Sequence, residues 1–210
     1  MRALYYAPGA ASFLVHWLLI ELGLDVELIR VDTAAGDQKR PEYLALNPNG
    51  VVPTYVEDGH AMFEAAAIAM TLADRNAPGE LAPAFDAPER ADYTQWMFHL
   101  ANAVQPLLRI WWYPHEVAGA ENAAPAREHV APRVEAAWQR IDDHLAARGP
   151  FLLGDRPSVA DFYVTMLLRW TRGMPRPGDQ WPHLAALAAR LKARPSFVAL
   201  YEREGLTDWR

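Results

Sequence analysis

The chain has 210 residues, no cysteine and a formal net charge of −6. That length permits one large domain or two small ones, and 51% apolar with 22% charged residues is ordinary globular composition. The missing cysteine excludes disulfides, thiolate metal sites and a cysteine nucleophile, and the acidic balance argues against a nucleic-acid partner.

The N-terminal run Met1 to Ala7 meets Pro8-Gly9 almost at once, which no signal peptide would do. The longest apolar stretch, Phe13 to Ile20, is far short of the roughly 20 residues that span a bilayer. A soluble, cytoplasmic protein with no membrane partner is expected.

Ala3 to Tyr6 reads as a short strand. Ser12 starts a helix from Phe13 to Gly23 that is apolar nearly all round, so it should be buried on most sides, with Gly23 as its stop. Val26 to Val31 is strand-like. Strand, helix and strand make a βαβ unit, which predicts parallel pairing. Val51 to Val56 and His60 to Phe63 form a second strand pair around the turn signal Asp58-Gly59. Pro53, at the start of its run, predicts an edge strand or a special bond. Ala65 to Arg75 is a helix. This order, β-α-β, a connection, then β-β-α, is that of a thioredoxin-like domain.

Residues 76 to 88 are rich in Pro, Gly and Ala and read as a linker. Everything beyond is helical in pattern. Pro88 to Tyr113 is one long helix with a possible kink at Pro106, followed by Ala126 to Arg148, Ser158 to Arg172, Trp181 to Ala193 and Ser196 to Glu204. The fold class is therefore an α/β thioredoxin-like N-terminal domain plus an all-α C-terminal domain. Its bounds are 1–77, a linker over 78–87, and 88–210.

Three motifs stand out, each with two readings. Ser158 and Asp161 have capping-box spacing, with Asp161 either a helix cap or a catalytic acid. Asn47-Pro48-Asn49-Gly50 is turn chemistry leading into Val51-Val52-Pro53. Glu64 lies where a strand hands over to a helix, whose free amides could hold a carboxylate or whose dipole it merely complements. The histidines are scattered, with no HExxH, so no metal site is expected. No GxSxG or GxxxxGK[ST] run is present.

In order and spacing, Gly36 to Pro53, Asp58-Gly59, Glu64-Ala65-Ala66-Ala67-Ile68, Leu72-Ala73-Asp74-Arg75 and the Ser158–Asp161 box together resemble the glutathione transferases. The likeness runs from about residue 3 to about 200. Tyr6-Ala7-Pro8-Gly9-Ala10-Ala11-Ser12 resembles the start of the bacterial beta-like branch.

The resemblance implies a glutathione site and a homodimer. Val52, before a cis Pro53, would pair its backbone with the cysteinyl part of glutathione by strand addition. Glu64 and the Ala65 amide would hold the γ-glutamyl end, and Lys39, with Gln38, would face the glycine carboxylate. The branch's cysteine is Ala11 here, and its partner histidine is replaced by Gln105. The remaining candidates for activating the thiol are Ser12, Tyr6 and Tyr5. A thiol of pKa about 8.5 lowered by two units needs about 2.7 kcal/mol. A hydrogen bond to a charged group supplies roughly 1.5–3 kcal/mol and a helix N-terminus about 0.3–1. Ser12 with the dipole would suffice, although Ser12 could equally only cap its helix. Phe13, Trp112, Met166 and Trp170 are candidates for the wall of an electrophile site.

The implied function is conjugation of the glutathione thiolate to a hydrophobic electrophile. The alternatives are a glutathione-dependent isomerase or dehalogenase, and a non-catalytic binding or interaction protein of the same fold.

Overall fold

The computed structural model describes residues 1–209. They form two compact units, Met1–Ala82 with Lys192–Asp208, and Pro83–Leu191 with Trp209.

The first unit holds a four-stranded sheet in the order β2-β1-β3-β4. Its strands are β1 (Arg2–Tyr6), β2 (Glu27–Arg30), β3 (Thr54–Glu57) and β4 (His60–Phe63). β1 and β2 are parallel, as a βαβ crossover requires, while β3 runs antiparallel to both β1 and β4. The β3–β4 hairpin turns on Asp58 (φ 50°) and Gly59 (φ 82°), the two left-handed residues that Asp-Gly predicts.

β3 is not an edge strand, contrary to one expectation from Pro53. It lies between β1 and β4, and its ladder begins at Thr54. Proline lacks an amide to donate, so it sits just outside the paired segment instead of demoting the strand. The other expectation is met: the Val52–Pro53 bond is cis.

β1 alternates. Leu4 and Tyr6 enter a cluster with Val15, Leu19, Tyr55, Ile68 and Leu72, which joins the sheet to α1 (Ser12–Glu21) and α3 (Ala65–Asn76). Tyr5 points to the opposite face, edge-on to Tyr43 of the short helix α2 (Pro41–Leu44).

The all-round burial of α1 has its cause at the far end of the chain. Residues Ser12 to Leu19 are all buried, because the last helix, Pro195–Glu204, packs on α1 as part of the same unit. Trp17 Nε1 donates to Ser196 Oγ at 2.9 Å, and Arg194 Nε donates to both oxygens of Glu21 at 3.1 and 3.2 Å. Phe13 meets Phe197 and Tyr201 edge to face.

The second unit is helical. Its helices are α4 (Arg90–His99), α5 (Gln105–Trp112), α6 (His115–Ala118), α7 (Ala123–Arg148), α8 (Val159–Trp170) and α9 (Pro182–Lys192), which makes Pro195–Glu204 α10. The single helix expected over 88–113 is divided by a π-helical turn, Leu100–Val104. Pro106 has no amide, and its ring would crowd the carbonyl four residues back. A wider turn ahead of it relieves both problems without ending the helix.

α8 is tied down at its start. Asp161 accepts from the Leu152 amide (2.8 Å), the Ser158 amide (2.7 Å) and the Ser158 hydroxyl (2.9 Å). Both limbs of the capping box form, and the carboxylate is fully buried. Asp161 is therefore a cap. Among the described residues no helix is long and apolar enough to cross a membrane.

Candidate functional site

The sheet register gathers the candidate segments at one end of the first unit. Tyr5, Thr54 and Phe63 lie side by side. Beyond that row β1 leads into the turn 7–11, β3 is entered through Val52-Pro53, and β4 leads into Glu64 and α3. The carboxyl ends of β1 and β4 thus meet the start of β3, the position where sheets of this kind take ligands.

Val52 has no backbone partner among the described residues. Its neighbours are firmly held. The Tyr43 hydroxyl donates to Val51 O (2.7 Å), and Asn47 Nδ2 donates to the same oxygen (2.8 Å). Asn47 Oδ1 accepts the Asn49 amide at 3.1 Å, the local turn bond that the Asn-Pro-Asn-Gly run signals. Burial pushes the Tyr43 phenol pKa above its ordinary value, with Thr54 and Asn47 opposing. A rigid, unpaired amide and carbonyl at Val52 is what an added extended peptide pairs with.

Lys39 and Gln38 lie on a 3-10 turn, Asp37–Lys39, against this segment. Lys39 Nζ donates to Asn49 O at 3.3 Å. Gln38 Nε2 donates to Thr33 O at 3.2 Å, and its Oε1 is shielded from solvent with no partner among the described residues. Gly50 has φ +59°, and a Cβ there would stand 2.7 Å from Lys39 Nζ. Any side chain at Gly50 would therefore displace the ammonium.

Glu64 precedes α3 with φ 73° and ψ 107°, makes no side-chain cap and is exposed. For a residue with a Cβ this is a sparsely populated conformation, of the kind that concentrates at ligand sites. Ala65 behind it is buried.

Ser12 is fully buried, and its hydroxyl is engaged twice. It donates to Ala7 O (3.0 Å) and accepts the Ala7 amide (3.1 Å). The Ala10 amide closes the same turn on Ala7 O at 3.1 Å. The amides of Ala11 and Ser12, at the start of α1, take no partner among the described residues. Tyr6 is packed in the core with its ring edge-on to His16.

The electrophile-wall candidates separate by burial. Phe13, in the first unit, is fully buried against Trp17, Phe197 and Tyr201. Met166 of α8 is also fully buried. Trp112 is 38% exposed, with Nε1 donating to Trp170 O at 2.9 Å and the Arg172 guanidinium 5.4 Å from its ring centre. Trp170 is half-buried. Gln105, at the start of α5, accepts from the Tyr163 hydroxyl. No group of three or more His, Asp or Glu side chains gathers as a metal would need among the described residues.

Comparison with known proteins agrees with this arrangement. The profile described as "Glutathione S-transferase, N-terminal domain" matches residues 3–74, and that described as "Glutathione S-transferase, C-terminal domain" matches residues 124–203. The chain belongs to the glutathione S-transferase family. It is 33% identical to a glutathione S-transferase of Xanthomonas campestris pv. campestris, covering 97% of this chain and 98% of that one. It is 31% identical to a disulfide-bond oxidoreductase of Escherichia coli over 82% of this chain and 81% of the relative. The crystal structure of a Sulfitobacter glutathione transferase homologue with bound glutathione superposes with a TM-score of 0.89 at 27% identity, covering 99% of both chains.

Two residues of this region carry no signal in the sequence. His16 and Glu204 are hydrogen-bonded to each other in the first unit, yet 188 positions apart. Only the docking of α10 on α1 brings them together.

Proposed function

We propose that the protein binds glutathione at the end of its sheet and conjugates the thiolate to a hydrophobic electrophile. The observation that carries this reading is that the Val52 backbone and the amides of Ala11 and Ser12 have no partner among the described residues. The peptide would add to Val52 as a short strand, with its γ-glutamyl end at Glu64 and the Ala65 amide. Its glycine carboxylate would lie toward Lys39 and Gln38.

Thiol activation then follows from α1. Lowering the thiol pKa by two units needs about 2.7 kcal/mol. One amide hydrogen bond to a charged acceptor supplies roughly 1.5–3 kcal/mol, and the helix dipole adds about 0.3–1. The Ser12 hydroxyl already donates to Ala7, so its part is to hold the turn while its own amide and that of Ala11 face the thiolate.

The ultraviolet thiolate band of bound glutathione tests this. Wild type should show thiolate near pH 7, and Tyr6→Phe should keep it. Ser12→Ala should keep more than half of the band while lowering the melting temperature. Complete loss of the band in Ser12→Ala would assign activation to the hydroxyl instead, and glutathione binding with no band in wild type would reject the transferase reading.

Trp112 and Trp170 present the aromatic surface for the electrophile. Trp112→Ala is expected to raise KM for a planar aromatic electrophile about fivefold, roughly 1 kcal/mol of lost stacking. Glutathione affinity should be unchanged. Unaltered electrophile kinetics would remove Trp112 from the site. The isomerase and thiol–disulfide readings use the same bound thiolate, and without a cysteine any disulfide exchange here could draw only on ligand thiols.

A further inference from the structure

The turn between β1 and α1 is closed locally at both ends. Ala7 is held by Ser12 and Ala10, and Phe13 N donates to Ala10 O at 3.0 Å. Gly9 sits between them at φ +67°, a conformation natural to glycine. Its amide donates to Glu204 Oε2 at 2.7 Å, from a carboxylate 195 positions away on α10. The other oxygen, Oε1, lies 2.9 Å from His16 Nδ1, one turn into α1. Since a carboxylate only accepts, the imidazole must donate there. Both side chains are fully buried, and His16 Nε2 has no partner among the described residues.

A buried imidazole–carboxylate pair is weak as a stabilising device. Desolvation of such groups offsets much of their mutual attraction, and apolar residues of the same volume often serve a core as well or better. What an apolar residue could not do is accept the Gly9 amide. A carboxylate directed at a backbone amide makes a short, charge-assisted bond and fixes the direction of that peptide plane.

We infer that Glu204 is a positioning residue for the thiol-holding turn. Acting through Gly9, and itself oriented by His16, it aims the Ala11 and Ser12 amides. This rests on the glutathione reading above for its functional meaning, though not for its structural content.

Hydrogen exchange of residues 7–12 in the ligand-free protein tests the structural part, and thiolate titration of the glutathione complex tests the functional part. Glu204→Ala should exchange these amides at least tenfold faster. It should also reduce the ionised fraction of bound thiol at pH 7 about tenfold, while glutathione Kd changes less than threefold. Ser196→Ala is the control, since it breaks the neighbouring α1–α10 bond to Trp17 without touching the turn. It should lower the melting temperature and leave both other readings at wild-type values. Glu204→Ala behaving like Ser196→Ala would overturn the proposal. Should Glu204→Ala not fold, Glu204→Gln carries the comparison, with a weaker neutral acceptor and about threefold faster exchange expected against an unchanged rate that would overturn it. If wild type itself forms no thiolate, the transferase reading fails, and the exchange arm still decides whether Glu204 holds the turn.

Discussion

Asp161→Ala is expected to destabilise the protein by about 3–5 kcal/mol at neutral pH, a large part of the roughly 5–15 kcal/mol that holds a typical domain together. Three donors converge on this carboxylate, from Leu152 and twice from Ser158. Each buried donor left without an acceptor costs about 1–3 kcal/mol, and the cap of α8 is lost with them. Asp161→Asn keeps one acceptor oxygen and should cost less.

The pH profile distinguishes the two forms of the group. Burial pushes the Asp161 carboxyl up to about 6, against the pull of the Leu152 and Ser158 donors. Unfolded, it titrates near 3.9. With the folded value above the unfolded one, the native state holds the extra proton between about pH 4 and pH 6. Stability from this group is therefore greatest at the acid end of that window, falls as pH rises through it and is level above. Wild-type stability minus that of Asp161→Asn, measured by urea unfolding, should grow by up to about 2–3 kcal/mol from pH 7 to pH 4, at 1.36 kcal/mol per pKa unit. A difference that does not change with pH would show that Asp161 has no raised pKa.

Glu64 offers the second large effect, and the strained backbone makes the test specific. Glu64→Ala should weaken glutathione binding about 10- to 100-fold, from losing one hydrogen-bonded charge of roughly 1.5–3 kcal/mol. Glu64→Gly should weaken binding as much. It should nevertheless raise the melting temperature, because glycine adopts φ 73° without the cost of about 1–3 kcal/mol that a Cβ brings. Opposite signs for affinity and stability in one variant would mark a residue kept for binding. Calorimetric titration showing wild-type affinity in Glu64→Gly would remove Glu64 from the site.

Much of this architecture is legible along the chain because its signals are local. Asp58-Gly59 specifies its hairpin, Gly23 ends α1, and Ser158 with Asp161 starts α8, each through bonds between residues at most a few positions apart. Periodicity separates the β-α-β-β-α region from the helices that follow. The proposed glutathione frame at Lys39, Val52, Pro53 and Glu64 is legible for the same reason, being carried by turns and element junctions.

Other features needed three dimensions. Pro53 reads as an edge signal, yet β3 is central, because strand order depends on which partners flank a strand and not on the strand itself. Phe13 reads as a candidate wall residue until α10 covers it. Ser12 reads either as a thiol-activating hydroxyl or as a helix cap, and only the fold shows that its hydroxyl bonds the amide and carbonyl of Ala7, since composition does not reveal where a hydroxyl points. The Gly9–Glu204–His16 link joins positions 188 and 195 apart, and no local pattern can announce a bond of that separation. The sequence by itself determined the element order, the caps and the turns, and it marked the segments proposed to frame glutathione. Tertiary packing alone decided which buried groups orient the turn at α1, because that depends on a helix from the end of the chain returning to its beginning.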